Sequence, residues 1–245
     1  MKTIKGAGFF DNDERFQRYR QGRHNPYSPN VTLEEPVILE LIGDVRGLSI
    51  LDLGCGDASF GVRLLEAGCQ HYLGLESSAN MAQLGAEKLR GLAGQVVNQA
   101  IEAWDYHPGK FDLVVSRLAL HYIRDFGWTC QLVFRSLRPG GRFVFSSVHP
   151  VITSSDRSGG GKRQEWIVDG YFDTGARSVQ FMGSRVEQFH RTIEDYFSAL
   201  RQAGFTVEQL REARPRREHF VDDELYLRRM RIPLFIFFSA RKAQP

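Results

Sequence analysis

Cysteine and long apolar segments are scarce in this sequence, and both shortages restrict its class. The 245 residues include only three cysteines, whose spacings match neither a disulfide framework nor a metal-ligand set: Cys55, Cys69 and Cys130. The apolar run at 234–238 is far too short to cross a membrane, and residues 1–12 lack the apolar core of a signal peptide. We therefore expect a cytoplasmic protein with no membrane segment and no metal.

A surplus of one charge is also missing. Lysine and arginine number 32 and aspartate and glutamate 29, so the net charge is only +3. Even the arginine-rich stretch at 211–231 interleaves seven arginines with five acidic residues, whereas a nucleic-acid groove needs a patch of one sign. A nucleic-acid partner is therefore disfavoured. With 42% hydrophobic residues and no internal repeat, the chain has the composition of a single globular domain spanning residues 1–245.

Short β-branched or aliphatic runs alternate with amphipathic runs from residue 48 onward. The pattern predicts strands at 48–54, 71–76, 95–99, 111–116 and 141–148, separated by helices at 58–68, 78–92 and 128–137. Strands that alternate with helices form crossover units and a parallel sheet. After a helix at 192–203, strands at 205–210 and 232–240 follow each other without a long helix, which predicts an antiparallel pair at the sheet edge.

Two regions depart from this alternation. Residues 1–45 contain a predicted helix at 13–21 and a second helix that begins at Thr32, which together form an N-terminal helical cap. Residues 150–190 show no regular period, which in a compact domain is typical of a substrate-side lid or of a disordered loop. This lid carries three aromatic side chains that are expected either to line a substrate pocket or only to close the lid against the sheet: Trp166, Tyr171 and Phe172.

The most informative stretch is a glycine-containing turn between the first predicted strand and its helix. Gly54 and Gly56 allow a ligand to approach the backbone closely, and the following helix N-terminus attracts polar ligand groups. Glu76 ends the next strand, where its carboxylate would reach a ribose diol. A dinucleotide fingerprint would need glycine at Ser59, and Asp52 would repel a pyrophosphate. A nucleoside with a positive charge near its sugar, such as S-adenosylmethionine, therefore fits better than NAD.

Four segments, in order and spacing, resemble the class I S-adenosylmethionine-dependent methyltransferases. They are ILDLGCGDASFG, YLGLESSANM, FDLVVSRLALHYIRD and LRPGGRFVFSS, all within residues 48–147. The flanking segments, among them NVTLEEP and SVHP, resemble a bacterial small-molecule branch of this family, the type-11 methyltransferases. The resemblance implies an α/β, Rossmann-like fold: a seven-stranded, mostly parallel sheet of order 3-2-1-4-5-7-6, with strand 7 antiparallel and helices on both faces.

The resemblance also implies which residues contact the cofactor, S-adenosyl-L-methionine, whose product is S-adenosyl-L-homocysteine. The methionine part would lie against Asp52, Gly54, Cys55 and Gly56, and the ribose against Glu76. The adenine would lie between Ser77 and Met81, with its edge at Ala100, Ile101 and Glu102. Many relatives have aspartate where this chain has Ala100, so either Glu102 or the backbone would read the adenine amine. The transferable methyl would lie near Ser116, Arg117 and Leu118, and Tyr19 would close over the cofactor.

Methyl transfer from a sulfonium is an in-line displacement in which the cofactor brings the leaving group. The protein aligns the acceptor and excludes water, and it needs a general base only if the acceptor must lose a proton. Three of the seven histidines fall at the predicted carboxyl edge of the sheet and are the candidate bases: His121, His149 and His190. The alternatives are packing for His121 and hydrogen bonds that anchor the lid for the other two.

The sequence therefore predicts a methyltransferase that uses S-adenosylmethionine to methylate an oxygen or nitrogen of a small-molecule metabolite. Methylation at carbon, an RNA methyltransferase and a non-catalytic protein that binds an adenosyl cofactor remain as alternatives. An NAD-dependent oxidoreductase is disfavoured by Ser59 and Asp52.

Overall fold

The computed structural model describes residues 3–17, 25–155 and 165–244. Its strands are β1 (Ser49–Leu53), β2 (His71–Glu76), β3 (Gly94–Asn98), β4 (Phe111–Arg117), β5 (Leu137–Val148), β6 (Gly175–Phe181), β7 (Ser184–His190), β8 (Phe205–Glu212) and β9 (Phe235–Lys242). Its helices are α1 (Glu35–Ile42), α2 (Ser59–Glu66), α3 (Ala79–Lys88), α4 (Phe126–Ser136), α5 (Pro150–Thr153), α6 (Ile193–Gln202) and α7 (Asp223–Arg229). Among these residues, no helix has the length and apolar content needed to cross a membrane.

Seven of the strands form one sheet in the order β3-β2-β1-β4-β5-β9-β8. Strands β1 to β5 are parallel, and β9 runs antiparallel to both β5 and β8. Counted along the chain, the strands of this sheet have the order 3-2-1-4-5-7-6, so the predicted Rossmann-like methyltransferase fold is confirmed. The parallel arrangement brings the carboxyl ends of β1, β2 and β4 to a single edge, where a ligand site is expected.

The central strands are buried on both faces, which explains why they read as continuous apolar runs. All five residues of β1 are buried, and they alternate between two apolar clusters: Leu51 and Leu53 belong to one, and Ile50 to the other. Helix α2 approaches the sheet so closely that a Cβ atom at Gly61 would lie 2.3 Å from the Tyr72 ring. This contact holds the Tyr72 side chain beside β1.

The segment at 150–190 contains regular structure that the sequence did not reveal. Strands β6 and β7 pair as an antiparallel two-stranded sheet apart from the main one. The prediction of an irregular segment was wrong for residues 175–190, because most of β6 and half of β7 are only partly buried and lack a clean alternation of apolar and polar residues. His190 ends β7 instead of heading the following helix, which begins with a capping box of Thr192 and Asp195.

The N-terminal region is helical only in part. Residues 13–17 of the predicted helix at 13–21 are helical, and the remainder lies outside the described residues. The predicted second helix begins as a π-helical turn, Asn30–Glu34, which continues into α1. Gly43, with φ of +62°, follows the last residue of α1.

Candidate functional site

The glycine turn after β1 is built from left-handed backbone conformations. Gly54 has φ of +76° and Gly56 has φ of +58°, a region that favours glycine. A Cβ atom at Gly54 would lie 2.4 Å from the Cβ of Ala119, which follows β4. Glycine at position 54 therefore lets the segments after β1 and β4 approach each other at the carboxyl edge of the sheet.

The Glu76 carboxylate organises this turn from the end of β2. Its Oε2 accepts a hydrogen bond of 2.9 Å from the Gly56 amide, and its Oε1 accepts one of 2.8 Å from the Ser78 amide. Burial raises the pKa of Glu76, while these amides act in the opposite direction. Each carboxylate oxygen keeps a second lone pair, so Glu76 can also accept hydrogen bonds from the hydroxyl groups of a ligand.

Asp52 carries an unsatisfied acceptor at the centre of the sheet. Tyr72 Oη donates a hydrogen bond of 2.7 Å to Asp52 Oδ2, whereas Oδ1 is buried with no partner among the described residues. Burial raises the pKa of Asp52 to about 6, so the side chain is mostly ionised at pH 7. A buried carboxylate with one oxygen left without a hydrogen-bond partner is suited to a cationic ligand group. The turn, Glu76 and Asp52 together therefore fit a nucleoside that carries a positive charge.

A buried ionic cluster fixes the segment after β4. Arg117 pairs with Glu34 and Glu35, and its guanidinium lies 4.4 Å from the centre of the Phe60 ring. Ser146 Oγ donates a hydrogen bond of 2.7 Å to Glu34 Oε1. Sequence reasoning missed Glu34 as part of the site, although two adjacent glutamates before a proline were a visible signal. The predicted cofactor residue Arg117 thus directs its guanidinium to this cluster.

The other two predicted residues at the end of β4 join neighbouring strands. Ser116 Oγ donates a hydrogen bond of 2.8 Å to the Leu53 carbonyl. Leu118 has φ of +52°, and its amide donates to Ser146 Oγ at 3.2 Å. A positive φ at leucine is uncommon and marks a backbone held in place by its surroundings. These bonds set the path of the chain beside the glycine turn.

The predicted adenine-side residues lie around β2 and β3. Ser77 is exposed and Met81 is buried in the first turn of α3. Ala100 precedes a short 3-10 turn that contains buried Ile101 and exposed Glu102. Cys55 is buried in the glycine turn, where burial raises the pKa of its thiol well above the usual range. The described residues do not include Tyr19.

An N-terminal segment docks beside the Glu76 carboxylate, and sequence reasoning missed it. Ser78 Oγ donates a hydrogen bond of 2.7 Å to Asp11 Oδ1, and Asn80 Nδ2 donates to the Phe10 carbonyl at 3.2 Å. The Phe9 ring contacts Phe181 of β6 at 5.1 Å between ring centres. Residues 9–11 therefore join the start of α3 to the β6–β7 hairpin.

His149 is engaged at both ring nitrogens. Its Nδ1 accepts a hydrogen bond of 3.2 Å from the Val151 amide and caps α5, so its Nε2 carries the proton and lies 2.9 Å from Glu212 Oε1. Burial lowers the pKa of His149, and Glu212 acts in the opposite direction. The contacts attach the beginning of the 150–190 segment to the end of β8.

His190 is likewise engaged at both nitrogens. Its Nε2 lies 2.9 Å from the Tyr171 carbonyl, which can only accept, so Nδ1 is the acceptor for Thr153 Oγ1 at 2.7 Å. Burial lowers the pKa of His190 below its ordinary value. These bonds join β7 to α5, which is the arrangement expected for an anchor of the lid.

His121 differs from the other two candidate bases. It lies in the 3-10 turn Leu120–Tyr122 after β4, and its buried Nδ1 has no hydrogen-bond partner within the described ranges. Burial and the nearby Arg191 lower the pKa of His121 to about 3, so the imidazole is neutral at pH 7. A neutral imidazole can accept or donate a hydrogen bond to a ligand, but at this pKa it is a weak base.

The three predicted substrate aromatics do not share a wall. Trp166 lines a cavity of about 580 Å³ whose walls include Val151 and Leu234. Tyr171 and Phe172 belong to a separate hollow of about 450 Å³, and Phe172 is 87% exposed. Sequence reasoning treated them as a group because only five residues separate Trp166 from Phe172.

Across the three described ranges, no group of three or more histidine, cysteine, aspartate or glutamate side chains is placed to hold a metal ion. At the sheet edge, Glu76 accepts hydrogen bonds from backbone amides, Asp52 accepts one through Oδ2 only, and Glu34 pairs with Arg117.

Known proteins with related sequences support the interpretation of this edge. Residues 50–141 match the family model for a methyltransferase domain. An uncharacterised protein from Haemophilus influenzae is 28% identical over 219 residues, which is 83% of this chain and 85% of that protein. A demethylmenaquinone methyltransferase from Lactococcus lactis is 32% identical over 46% of this chain and 48% of its own length.

Solved structures extend the similarity to most of the chain. A putative S-adenosylmethionine-dependent methyltransferase from Listeria monocytogenes has a TM-score of 0.80 and 30% identity, and the match covers 86% of this chain and 97% of that one. A second one, from Mesorhizobium loti, has a TM-score of 0.79 and 30% identity, with 87% and 98% covered. Together with the glycine turn and the sheet order, these matches show that the chain belongs to the class I S-adenosylmethionine-dependent methyltransferases.

Proposed function

We propose that this enzyme transfers the methyl group of S-adenosylmethionine to an oxygen or nitrogen of a small-molecule metabolite. The cavity of about 580 Å³ at the end of β5 carries the proposal, because its volume suits a metabolite. Val151 lies in α5, three residues after the end of β5, and Leu234 precedes β9, whose Phe235 pairs with Val148 of β5. The cavity therefore lies at the same sheet edge as the glycine turn.

In this proposal the two buried acids divide the cofactor between them. Glu76 binds the ribose hydroxyls, and the unpartnered Oδ1 of Asp52 faces the positively charged methionine part. The cofactor supplies the activated methyl group. The other predicted cofactor residues, apart from Tyr19, lie in the turn, at the start of α3, in the segment after β3 and at the end of β4. This arrangement leaves the protein to align the acceptor and keep out water.

The histidines then have different roles. His121 is a positioning residue: its neutral imidazole accepts a hydrogen bond from the acceptor, because a group with a pKa of about 3 is too weak to remove a proton efficiently. His149 and His190 anchor the lid through the bonds that occupy all four of their ring nitrogens. Their loss would slow turnover by loosening the lid.

The distribution of arginines supports a small acceptor over RNA. Arg211 and Arg216 pair with Glu40, and Arg217 pairs with Asp223. These pairs interrupt the positive surface that a nucleic-acid backbone would need. Relatives with known names include a malonyl-[acyl-carrier protein] O-methyltransferase and a phosphoethanolamine N-methyltransferase. Their chemistry supports oxygen or nitrogen as the atom methylated here.

A labelling experiment tests the proposal. The protein is incubated with methyl-labelled S-adenosylmethionine and either a small-molecule extract of bacterial cells or their total RNA. We expect label in the small-molecule fraction only. Label in RNA would support the nucleic-acid alternative. Binding of S-adenosylhomocysteine by the protein, with no labelled acceptor in either fraction, would support the non-catalytic alternative.

Variants then test the histidine roles. His121→Gln should lower kcat while S-adenosylhomocysteine affinity stays within about twofold, since the residue serves the acceptor. His149→Ala and His190→Ala should lower both turnover and thermal stability, because each removes two hydrogen bonds that are at least partly buried. His107→Gln is the control at an exposed imidazole. Full turnover in all three test variants would show that these histidines contribute only to packing.

A further inference from the structure

The cavity beside α5 has a strongly basic side. Among the described residues that line it are Arg228 and Arg229 of α7, the nearby Arg231 and one acidic residue, Glu165. The opposite side is apolar and includes Trp166 and Val168. A site of this kind can hold a carbon skeleton on one side and a negatively charged group on the other.

Arg229 is the least satisfied of these arginines. Its Nε is buried, and it has no hydrogen-bond partner in the described part of the chain. Burial and the neighbouring Arg228 lower the pKa of Arg229, and no carboxylate counters this effect. Arg229 thus keeps a buried donor that a protein group does not use, which is costly unless a ligand uses it.

Two simpler explanations do not account for the burial of these arginines and the unpartnered Nε of Arg229. A cation in the last turn of α7 is favourable for the helix dipole, but that role does not require a buried, unpartnered Nε. A solvated charged face would leave the guanidinium exposed, whereas Arg228 and Arg229 are both half-buried. Arg211, Arg216 and Arg217 of the same stretch do have acidic partners. Arg229, whose buried Nε has no hydrogen-bond partner among the described residues, therefore differs from them.

The position of the cavity connects it to the methyl-transfer site. It lies where β5 ends and β9 begins, and β9 is three strands away from β1 in the sheet. At the usual spacing of about 4.8 Å, this separation is about 14 Å. A metabolite anchored at the arginines can therefore extend along the sheet edge toward the end of β4.

We propose that Arg228 and Arg229 bind an acidic group, a carboxylate or a phosphate, of the methyl acceptor, whose carbon skeleton lies against Trp166 and Val168. This inference rests on the proposed function and specifies its substrate class. Guanidinium groups suit both anions, because two parallel N–H groups match two anionic oxygens. The acceptor is then an organic acid or a phosphate ester whose nucleophilic atom lies away from its charge.

The test uses simple anions and their neutral analogues. Wild-type protein saturated with S-adenosylhomocysteine is titrated calorimetrically with benzoate, phenyl phosphate, benzamide and benzyl alcohol. We expect one or both anions to bind at least tenfold more tightly than the neutral compounds, and the stronger anion identifies the acidic group. Equal affinity for charged and neutral probes would overturn the inference.

Arginine variants test whether the anions bind in this cavity, and a second ligand reports whether each variant is folded. Arg229→Gln and Arg228→Gln should each weaken anion binding by roughly tenfold or more, because a charge-assisted bond is lost. Arg229→Lys should bind the anions with an affinity between those of the wild type and Arg229→Gln, because lysine keeps the charge but lacks the planar guanidinium. S-adenosylhomocysteine affinity reports folding in every variant, and Arg90→Gln is the control at an exposed arginine. Unchanged anion affinity in both glutamine variants would refute the site.

The labelling experiment separates this inference from the proposed function. Labelled small molecules that are all uncharged would leave the proposed function intact and exclude an acidic acceptor. Absence of any labelled small molecule, with anion binding that still depends on Arg229, would refute the acceptor role. Labelled products that are acids, with labelling reduced in Arg229→Gln, would support both.

Discussion

Replacing Asp52 with asparagine should stabilise the cofactor-free protein and weaken its binding of cofactor. Burial raises the pKa of Asp52 to about 6 in the folded state, against an ordinary value of 3.8. The folded state therefore holds this proton more tightly than the unfolded state does. The contribution of Asp52 to the free energy of unfolding is fully present below about pH 4 and is lost as the pH rises toward 6. Above that pH the free energy of unfolding no longer changes because of this group.

The magnitude follows from the shift. A difference of about two pKa units corresponds to about 3 kcal/mol lost at pH 7.5, because one unit is worth about 1.4 kcal/mol. Asparagine carries no charge and escapes this loss, so Asp52→Asn should be more stable by up to about 3 kcal/mol. For a chain of this size, that gain corresponds to roughly 6–12 °C in Tm.

The assay compares thermal unfolding of wild type, Asp52→Asn and the exposed control Asp105→Asn at pH 4 and pH 7.5. The gain of Asp52→Asn should be present at pH 7.5 and nearly absent at pH 4, while its S-adenosylhomocysteine affinity falls. A less stable Asp52→Asn at pH 7.5, or the same gain at both pH values, would refute the argument that the ionised carboxylate is destabilising.

Two further variants test the surrounding turn. Glu76→Ala should weaken S-adenosylhomocysteine binding by roughly tenfold or more, measured by calorimetry, because the Gly56 and Ser78 amides also lose their acceptor. Glu87→Ala, at an exposed glutamate, is the control. Equal affinities of Glu76→Ala and wild type would contradict the assignment. Gly54→Ala should lower the free energy of unfolding by roughly 1–3 kcal/mol in urea, because its Cβ would lie 2.4 Å from that of Ala119 at a positive φ. Wild-type stability in Gly54→Ala would show that the turn tolerates an L side chain.

The central sheet was predictable because local pattern and long-range packing agree there. Strands buried on both faces give continuous apolar runs in the sequence, and the glycines of the turn mark the end of β1. Glu76 was predictable for the same reason, since its position depends only on the end of β2. Such features are encoded within about 30 consecutive residues.

Features that join distant segments were not predictable in this way. The pairing of Glu34 with Arg117 spans 83 residues, and the bond between Asp11 and Ser78 spans 67. The β6–β7 hairpin was missed because its sequence lacks a strict alternation, as most of β6 and half of β7 are only partly buried. The basic cavity was missed because its arginines and aromatic wall lie about 60 residues apart in the sequence.

The hydrogen bond between Thr153 and His190 turns the intervening chain into a closed loop. Once the ends of a loop are held together, the entropy cost of lengthening it grows only logarithmically, and a doubling costs about 0.6 kcal/mol. Insertions between these two residues are therefore inexpensive for the folding of the sheet. Under the proposed function, the acceptor side of the enzyme could therefore change in length at little thermodynamic cost, while the strands keep the cofactor edge fixed.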